Sequence, residues 1–493
     1  MAAPRAPRAS PFPRLLISLY PRAVAIERRV NTEPITDTIA AVATAPGEAG
    51  IGIVRASGPL ALLCARRIFR RKIDTQSRQP PVTHHATYGY VTRPGSDEKL
   101  DECVLTYFAG PHSYTGEDVV ELACHGSNLV LAQVLNGLIT GGARLAEPGE
   151  FTRRAFLNGR LDLAEAEAVI DIIRARTDAA LRVATGQLSG RLSREIAELR
   201  LALITLLAEI EAAIDFPDDV EPPSDAELAG RTRSVRDRAL RLLRTADAGR
   251  LYREGAALVL AGRPNVGKSS LLNALLGEAR AIVTAIPGTT RDVIEETLNL
   301  RGIPVRAIDT AGLRETSDTV EALGVERTRA QLAAADLTLW VVDASEGITE
   351  EDRGIAGELA GRRVVVVANK VDQGQLLEPA EIEALLGGDV SVNFVSALTG
   401  AGMEGLEETL AAALLGGHVS PESVWVSNAR HQGRLREAVA ALDRAIEAAD
   451  VGFDQAAISL DLKLAAEGLG EITGETVTEE TITQIFARFC VGK

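Results

Sequence analysis

Cysteine is scarce in this chain. Cys64, Cys103, Cys124 and Cys490 are spread over 493 residues, and no two form a CxxC pair. That spacing excludes a disulfide framework and a cysteine-based zinc site, and it fits a reducing compartment. No apolar run reaches 18 residues, so no segment reads as a membrane-crossing helix. Positive charge is also in short supply. Lys and Arg number 53 against 68 Asp and Glu, giving a net charge of −15. Such a surface does not grip phosphate backbones nonspecifically. DNA is therefore not an expected partner, and any RNA contact must be local or shared with another protein. No internal repeat is visible.

What is present reads as about three domains at this length. A composition of 46% hydrophobic and 25% charged residues supplies several ordinary cores. The first 33 residues stand apart, with six arginines against two glutamates and prolines at 4, 7, 11, 13 and 21. One reading is a transit peptide to a mitochondrion or plastid. The other is a start codon placed too early, with translation beginning at Val30. Scarce serine favours the second reading, and with it the cytoplasm.

From Ile39 the chain is mixed. "IAAVATA" and "GIGIVRA" suit short strands, and "NLVLAQVLNGLI" has helical spacing. From Leu161 it turns alanine- and leucine-rich. Ile196, Leu199, Leu203, Leu206, Ile210 and Ile214 recur on one helical face, "DFPDDVEPP" ends that helix, and Ser224 with Glu227 offers a capping box for the next. From Gly255, "ALVLAG", "VRAIDTAG", "LTLWVVDA" and "RVVVVANK" read as buried strands of a parallel, doubly wound sheet. Helices return after Gly416. The expected fold is multidomain α/β plus α. An extension spans 1–33 and an α/β domain 34–155. A helical bundle, 156–253 and 417–493, is interrupted by an inserted P-loop GTPase domain at 254–416.

"GRPNVGKS", residues 262–269, fits G-x-x-x-x-G-K-S between a strand and a helix. Here the backbone of Asn265, Val266 and Gly267 cradles phosphates, Lys268 reaches the β/γ oxygens, and Ser269, followed by Ser270, ligates Mg²⁺. "NKVD" places Asn369, Lys370 and Asp372 after a strand. A carboxylate there accepts both N–H groups of guanine's edge. Adenine would leave it desolvated and unpaired at a cost on the order of 2–5 kcal/mol, which selects GTP over ATP. "SAL" (Ser396, Ala397, Leu398) supplies a backbone contact to the base. "PGTTRD" offers Thr290 as a second Mg²⁺ ligand, and "DTAG" (Asp309, Thr310, Ala311, Gly312) senses the γ-phosphate.

One residue is missing from that pattern. Where Ras-like enzymes carry a water-orienting glutamine after the glycine, this chain has Leu313. Glu315 and Glu321 are the nearby carboxylates. The missing positive charge is open to Arg314 or to a monovalent cation beside Asn265.

The chain resembles the MnmE (TrmE) family of tRNA-modification GTPases over nearly its whole length from about Asp37. The resemblance is carried by "DTIAAVATAPGEAGIGIVRASG", "GPHSYTGEDVVELACHGS", "EPGEFTRRAFLNGRLDLAEAEAVIDII", "AIVTAIPGTTRDV", "DTAGLRETSDTVEALGVER" and the terminal "FCVGK". It implies G domains that dimerise when K⁺ binds against Asn265, inside a loop that includes Thr284, Ile286 and Thr289. Ala285, Pro287 and Gly288 complete that nucleotide-contacting stretch. It implies Glu321 as the residue that orients water, catalysis by Glu321 with Lys268, and Cys490 as a catalytic thiol. A buried small side chain near the chain end is the alternative for Cys490.

The resemblance further implies a homodimer through a folate-binding-like N-terminal domain. The folate is 5,10-methylene- or formyl-tetrahydrofolate, held by Arg55, Glu121, Arg160 and Lys493. A partner, MnmG, carries FAD and completes a heterotetramer. Together they place an aminomethyl or carboxymethylaminomethyl group on C5 of the wobble uridine of certain tRNAs. Three departures stand out: Arg160 where the family has Lys, Ala285 where it has Asp, and the N-terminal extension. Two other readings compete, a regulatory GTP switch in ribosome assembly and a GTPase scaffold with a vestigial folate site. The acidic helical appendages weigh against the first.

Overall fold

The computed structural model describes residues 36–72, 81–278, 297–309, 332–387, 390–416 and 426–493. The N-terminal part is a seven-stranded sheet. Its strands are β1 (Ile39–Val42), β2 (Ala49–Ser57), β3 (Phe69–Arg71), β4 (Ala86–Thr92), β5 (Lys99–Phe108), β6 (Val119–Gly126) and β7 (Arg144–Leu145). They lie in the order β3-β4-β5-β6-β2-β1-β7, with only the β1–β7 pair parallel. Helices α1 (Ala61–Ile68) and α2 (Asn128–Thr140) cover one face, where Val54, Ala56, Leu105, Leu122, Leu131 and Leu138 meet. The opposite face holds the small cluster Ile39, Ala41, Ala146 and Phe151, with Phe151 supplied by α3 (Glu150–Leu157). Strand alternation therefore turns Arg55 toward α3, and the β2–β6 register sets it directly opposite Glu121.

The helical part follows with α4 (Leu163–Arg174), α5 (Asp178–Leu188), α6 (Arg191–Asp215), α7 (Asp225–Leu243) and α8 (Ala246–Glu254). The alanine-rich run after Leu161 is two helices, because Thr177 leaves helical geometry to cap α5, accepting from the Ala180 N–H at 3.2 Å. On α6 the expected face is buried at Ile196, Leu199, Leu203, Leu206 and Ile210, but Ile214 is 50% exposed. The buried series advances by alternate steps of three and four residues, so Ala213 and not Ile214 takes the last inward place. The capping box on α7 is half formed. Ser224 accepts from the Glu227 N–H, while the Glu227 carboxylate lies 3.5 Å from Arg231. A complete box appears instead at α4, between Asp162 and Glu165.

The six-stranded sheet comprises β8 (Ala256–Ala261), β9 (Thr297–Leu300), β10 (Ile303–Asp309), β11 (Leu337–Asp343), β12 (Val364–Asn369) and β13 (Val392–Phe394). Its order is β13-β12-β11-β8-β10-β9, parallel except for the β9 edge. The helices here are α9 (Lys268–Glu278), α10 (Glu350–Leu359), α11 (Pro379–Leu386) and α12 (Met403–Leu415). Central strands are buried on both faces: Leu258 and Leu260 point into one core, Val259 and Ala261 into the other.

After the sheet, α13 (Ala429–Asp450), α14 (Gln455–Thr473) and α15 (Glu479–Phe486) rejoin the first helical segment. Leu435, Leu442, Leu462 and Leu469 share one core with the buried face of α6. The GTPase-like sheet is thus inserted between two halves of a single bundle.

A buried ion network joins those halves. Glu167 of α4 accepts from Arg430 Nε and Nη2 at 3.1 and 2.7 Å, and lies 2.7 Å from His431 Nε2, both on α13. Arg430 also donates to the Ile472 carbonyl of α14 at 3.0 Å. Burial alone would raise the Glu167 carboxyl, but His431 and Arg430 more than offset it and hold the group ionised. Glu167→Gln would leave the guanidinium without its counter-charge in a dry site. It should destabilise the protein by about 3–5 kcal/mol, read as a lowered urea midpoint at pH 7.

Candidate functional site

The loop from β8 to α9 carries the phosphate-binding pattern, and its shape is set by close approach. Gly262 has φ 147° and Gly267 φ 94°. A Cβ at Gly262 would lie 2.3 Å from the Val341 carbonyl, and one at Gly267 would lie 2.4 Å from Asn369 Nδ2. Asn265 adopts φ 65° at the exposed tip, while Val266 is fully buried and fixes the loop from below. Lys268 opens α9 and curls back, donating to the carbonyls of Gly262 and Arg263 at 2.8 Å each. That conformation poises the amine over the concavity where phosphates are expected, at the positive end of the helix. Ser269 and Ser270 follow on the exposed first turn of α9. Outside the loop, Arg263 pairs with Glu346 at 2.5 Å and with the buried Asp352 at 3.3 Å. These anchors come from the α10 side, and no sequence motif pointed to them.

Asn369, at the end of β12, is 2% exposed and acts as a latch. Its Nδ2 donates to the Val266 carbonyl at 2.9 Å, and its Oδ1 accepts from the Ala397 N–H at 3.0 Å. One side chain thereby fixes the phosphate loop to the loop of Ser396, Ala397 and Leu398. Ser396 Oγ donates to Asp372 Oδ1 at 2.6 Å and aims that carboxylate. Lys370, at φ 69°, donates to Asp343 Oδ2 at 2.7 Å. Burial would raise Asp343, but Lys370 and Ser345 overcome this and hold its carboxyl low, so the ion pair persists at neutral pH. Leu398 is 83% exposed, presenting an apolar surface at the rim. Asp343 was not singled out in the sequence, although it ends the strand "LTLWVVD" as Asn369 ends "VVVVAN".

The backbone of Asp309 closes β10 opposite Leu260. Thr284, Ala285, Ile286, Pro287, Gly288, Thr289, Thr290, Thr310, Ala311, Gly312, Leu313, Arg314, Glu315 and Glu321 lie outside the described residues.

A second constellation forms where the C-terminal segment meets the seven-stranded sheet. Arg55 Nε donates to Glu121 Oε1 at 2.8 Å, and Nη1 donates to the Gly492 carbonyl at 3.4 Å. The guanidinium lies 5.5 Å from the Tyr114 ring centroid and 5.6 Å from that of Phe151. The terminal segment is seated against β1 and the start of α3. A Cβ at Gly492 would meet the Val42 carbonyl at 2.4 Å, and Gly149 N–H donates to the Cys490 carbonyl at 3.3 Å. Burial, then the neighbouring Arg55 charge, lowers the Lys493 ammonium. Arg160 Nε donates to the Ser113 carbonyl at 3.3 Å, and the residue lines a cavity of about 620 Å³ with Ser113, Tyr114, His112 and Asn158.

The structure therefore brings Arg55, Glu121 and Lys493 together, while Arg160 bonds to the Ser113 carbonyl and lines the cavity that Tyr114 also lines. Cys490 is exposed, which overturns its alternative reading as a buried small side chain. The terminal segment runs over the surface there, and Phe489 takes the inward place instead. Sequence reading missed Ser113 and Tyr114, although both lie in the quoted "GPHSYTGEDVVE". It also missed Arg154, 2% exposed, which donates to Asp37 at 2.8 Å, Glu150 at 3.0 Å and Glu117 at 3.3 Å and fastens α3 to the sheet.

Profile comparison matches residues 38–160 to the GTP-binding protein TrmE N-terminus and residues 163–490 to the MnmE helical domain. The chain is 46% identical over 462 residues to the tRNA modification GTPase MnmE of Desulforamulus reducens, covering 93% of this chain and 100% of that protein. It is 50% identical over 463 residues to the tRNA modification GTPase MnmE of Symbiobacterium thermophilum, covering 93% and 99%. Among solved structures, the G domain of the T. maritima FeoB iron transporter aligns at 28% identity over 32% of this chain and 98% of that chain, with a TM-score of 0.24.

The aimed carboxylate of Asp372 yields a direct test of base reading. Asp372→Asn places a donor against guanine's N1–H and removes a charge-assisted pair, at a cost of about 2–4 kcal/mol. Titration with guanine and xanthine nucleotides should show weakened GTP binding and improved XTP binding. Unchanged GTP affinity would remove Asp372 from the base site.

Proposed function

The chain belongs to the tRNA modification GTPase MnmE family, and we propose that it is a potassium-dependent member that works with a flavin-bearing MnmG partner on the wobble uridine. It is a GTP-hydrolysing enzyme of tRNA modification, with GTP as substrate and Mg²⁺ as its ion. The finer reading is a homodimer that forms a heterotetramer with MnmG, whose FAD serves the chemistry. An aminomethyl or carboxymethylaminomethyl group is placed on C5 of the wobble uridine from a folate one-carbon donor. The proposed compartment is the cytoplasm, in keeping with the bacterial relatives.

In the nucleotide cleft each residue has a proposed task. Asp372, aimed by Ser396, reads the guanine edge. The Asn369 latch keeps the base loop and the phosphate loop in one register, so correct base binding also places the phosphates. Lys268, released from the carbonyls of Gly262 and Arg263, turns to the β/γ oxygens. Bound Mg²⁺ neutralises phosphate charge, with Ser269 and Thr290 as its proposed protein ligands. The exposed Asn265 at the loop tip, with Thr284, Ile286 and Thr289, is the proposed holder of a K⁺ ion, which would supply positive charge to the phosphates. Glu321 is the proposed orienter of the attacking water.

The observation that carries the folate reading is the meeting of Arg55, Glu121 and the terminal Gly492–Lys493 beside the Tyr114 ring and its cavity. Guanidinium groups suit the two carboxylates of a folate, and a glutamate suits the donor edge of a pterin. These groups fit the ligand, and bound folate supplies the one-carbon unit. Cys490, exposed near Lys493, remains the proposed thiol. A GTP switch acting in ribosome assembly would have no use for this constellation.

Two measurements test the proposal. GTP turnover at equal ionic strength should be at least about tenfold faster in KCl than in NaCl. Equal rates would make Arg314 the candidate source of charge. Separately, Arg55→Ala should weaken 5-formyl-tetrahydrofolate binding by about tenfold to a hundredfold in calorimetry, with GTP turnover unchanged. Undiminished folate affinity would leave the site without its anchor.

A further inference from the structure

The β9–β10 hairpin is the part of the sheet that meets the helical bundle. Its two-residue turn, Arg301–Gly302, has φ 48° and 96°, the double left-handed geometry that matches the twist of a tight hairpin. The turn is docked on the α4–α5 corner. Thr177 Oγ1 donates to the Gly302 carbonyl at 2.6 Å, across 125 residues of sequence. Arg176 Nη1 donates to Thr297 Oγ1, at the start of β9, at 2.9 Å. Thr177 and Thr297 are 7% and 5% exposed, while Arg176 is exposed, so both bonds are partly shielded from water. The approach is close enough that a Cβ at Gly302 would lie 2.8 Å from the Ala179 Cβ.

The hairpin's position in the chain gives these contacts a meaning. The segment holding Thr284 to Thr290 runs into β9, and β10 runs out through Asp309 into "DTAG". The segment that offers a Mg²⁺ ligand and the segment that reads as the γ-phosphate sensor are therefore joined by one short hairpin. The hairpin is held from both sides, by Arg176 and Thr177 of the helical bundle and by an ion pair of Arg301 with Glu408 of α12 at 2.8 Å. β10 also pairs with β8, whose next residues are the phosphate loop. A tilt of the hairpin is thus felt at Asp309, at the end of β10, and at the loop that follows β8.

Resting on the nucleotide-site reading above, we propose that Arg176 and Thr177 are positioning residues for GTP hydrolysis: by holding the β9–β10 hairpin, the helical bundle sets the placement of the Asp309 backbone at the end of β10 and of the phosphate loop after β8. The contact touches neither nucleotide nor reacting atoms. Its effect falls on the alignment of groups that do, where a displacement of about 1 Å costs up to a hundredfold in rate.

The test uses the full-length protein. Arg176→Ala and Thr297→Val remove the two ends of one bond, and Thr177→Val removes the other, with Thr177→Ser as the conservative control that keeps the hydroxyl. Each loss variant should lower kcat for GTP by about five- to tenfold, with GTP affinity within about twofold of the parent. The Arg176→Ala/Thr297→Val double variant should be no slower than either single one, and Thr177→Ser should retain the parent kcat. Arg176 is exposed, so its variant reports even if Thr177→Val, which also loses a helix cap, proves unstable. An unchanged kcat in Arg176→Ala and Thr297→Val, whatever their melting temperatures, would overturn the proposal and leave the contact a domain fastener. A fall in GTP affinity that accounts for the whole rate effect would overturn it as well.

Discussion

A single carboxylate, Glu167, holds the architecture together. It sits in α4 and is bonded to Arg430 and His431 of α13, about 260 residues later in the chain. Between those two points the chain leaves the bundle, builds a mainly parallel sheet with its own two cores, and returns. A buried acid is costly unless its partners are present. The network therefore forms only when both bundle halves are home, and it specifies which helix of the returning segment meets α4. A second ion pair, Arg253 to Asp171 at 2.7 Å, adds α8, the last helix before the sheet, to the same assembly. The inserted domain is thus tied to the bundle at its entry and again at the docked hairpin.

The same logic recurs on a smaller scale in each site. Asn369 is one amide that satisfies a donor and an acceptor in two different loops, so the loop after β8 and the loop of Ser396 to Leu398 are held in one register. Arg55 is one guanidinium that reaches Glu121, the terminal backbone and two aromatic faces. In both cases a planar polar group with several directed bonds fixes segments that have little regular structure of their own. Such groups lose little freedom for each bond they form, which suits them to positions where geometry must be exact to a few tenths of an ångström.

The bundle, by contrast, rests on area. Ile196, Leu199, Leu203, Leu206 and Ile210 are each 0–1% exposed, and burial of each is worth about 1.5–3 kcal/mol. That stripe was legible because a helix repeats at a fixed interval. Its last member was misread because the seam follows steps of three and four and passes to Ala213, leaving Ile214 outside. The capping residues were legible to the same degree. Ser224 caps α7 as its type requires, but whether Glu227 bends back or turns to Arg231 depends on the charges around it.

The sequence by itself determined the strand–loop–helix at residues 256–278, the parallel strands with polar ends, and the place of "NKVD" at the end of β12. Each of these is a local matter. Glycine at 262 and 267 is demanded by backbone geometry within a few residues, and a continuous apolar run is a strand buried on both faces wherever it packs. What only the tertiary structure decided are the long bonds: Asn369 to Val266 across 103 residues, Thr177 to Gly302 across 125, and Arg55 to Gly492 across 437. No periodicity encodes them. A long loop costs little more to close than a short one, so chain separation does not forbid such partners and does not reveal them. Arginine and threonine are ordinary surface residues until packing removes water from around them. Folding then settles which polar groups must find one another, because a buried donor left unpaired is costlier than the bond is favourable.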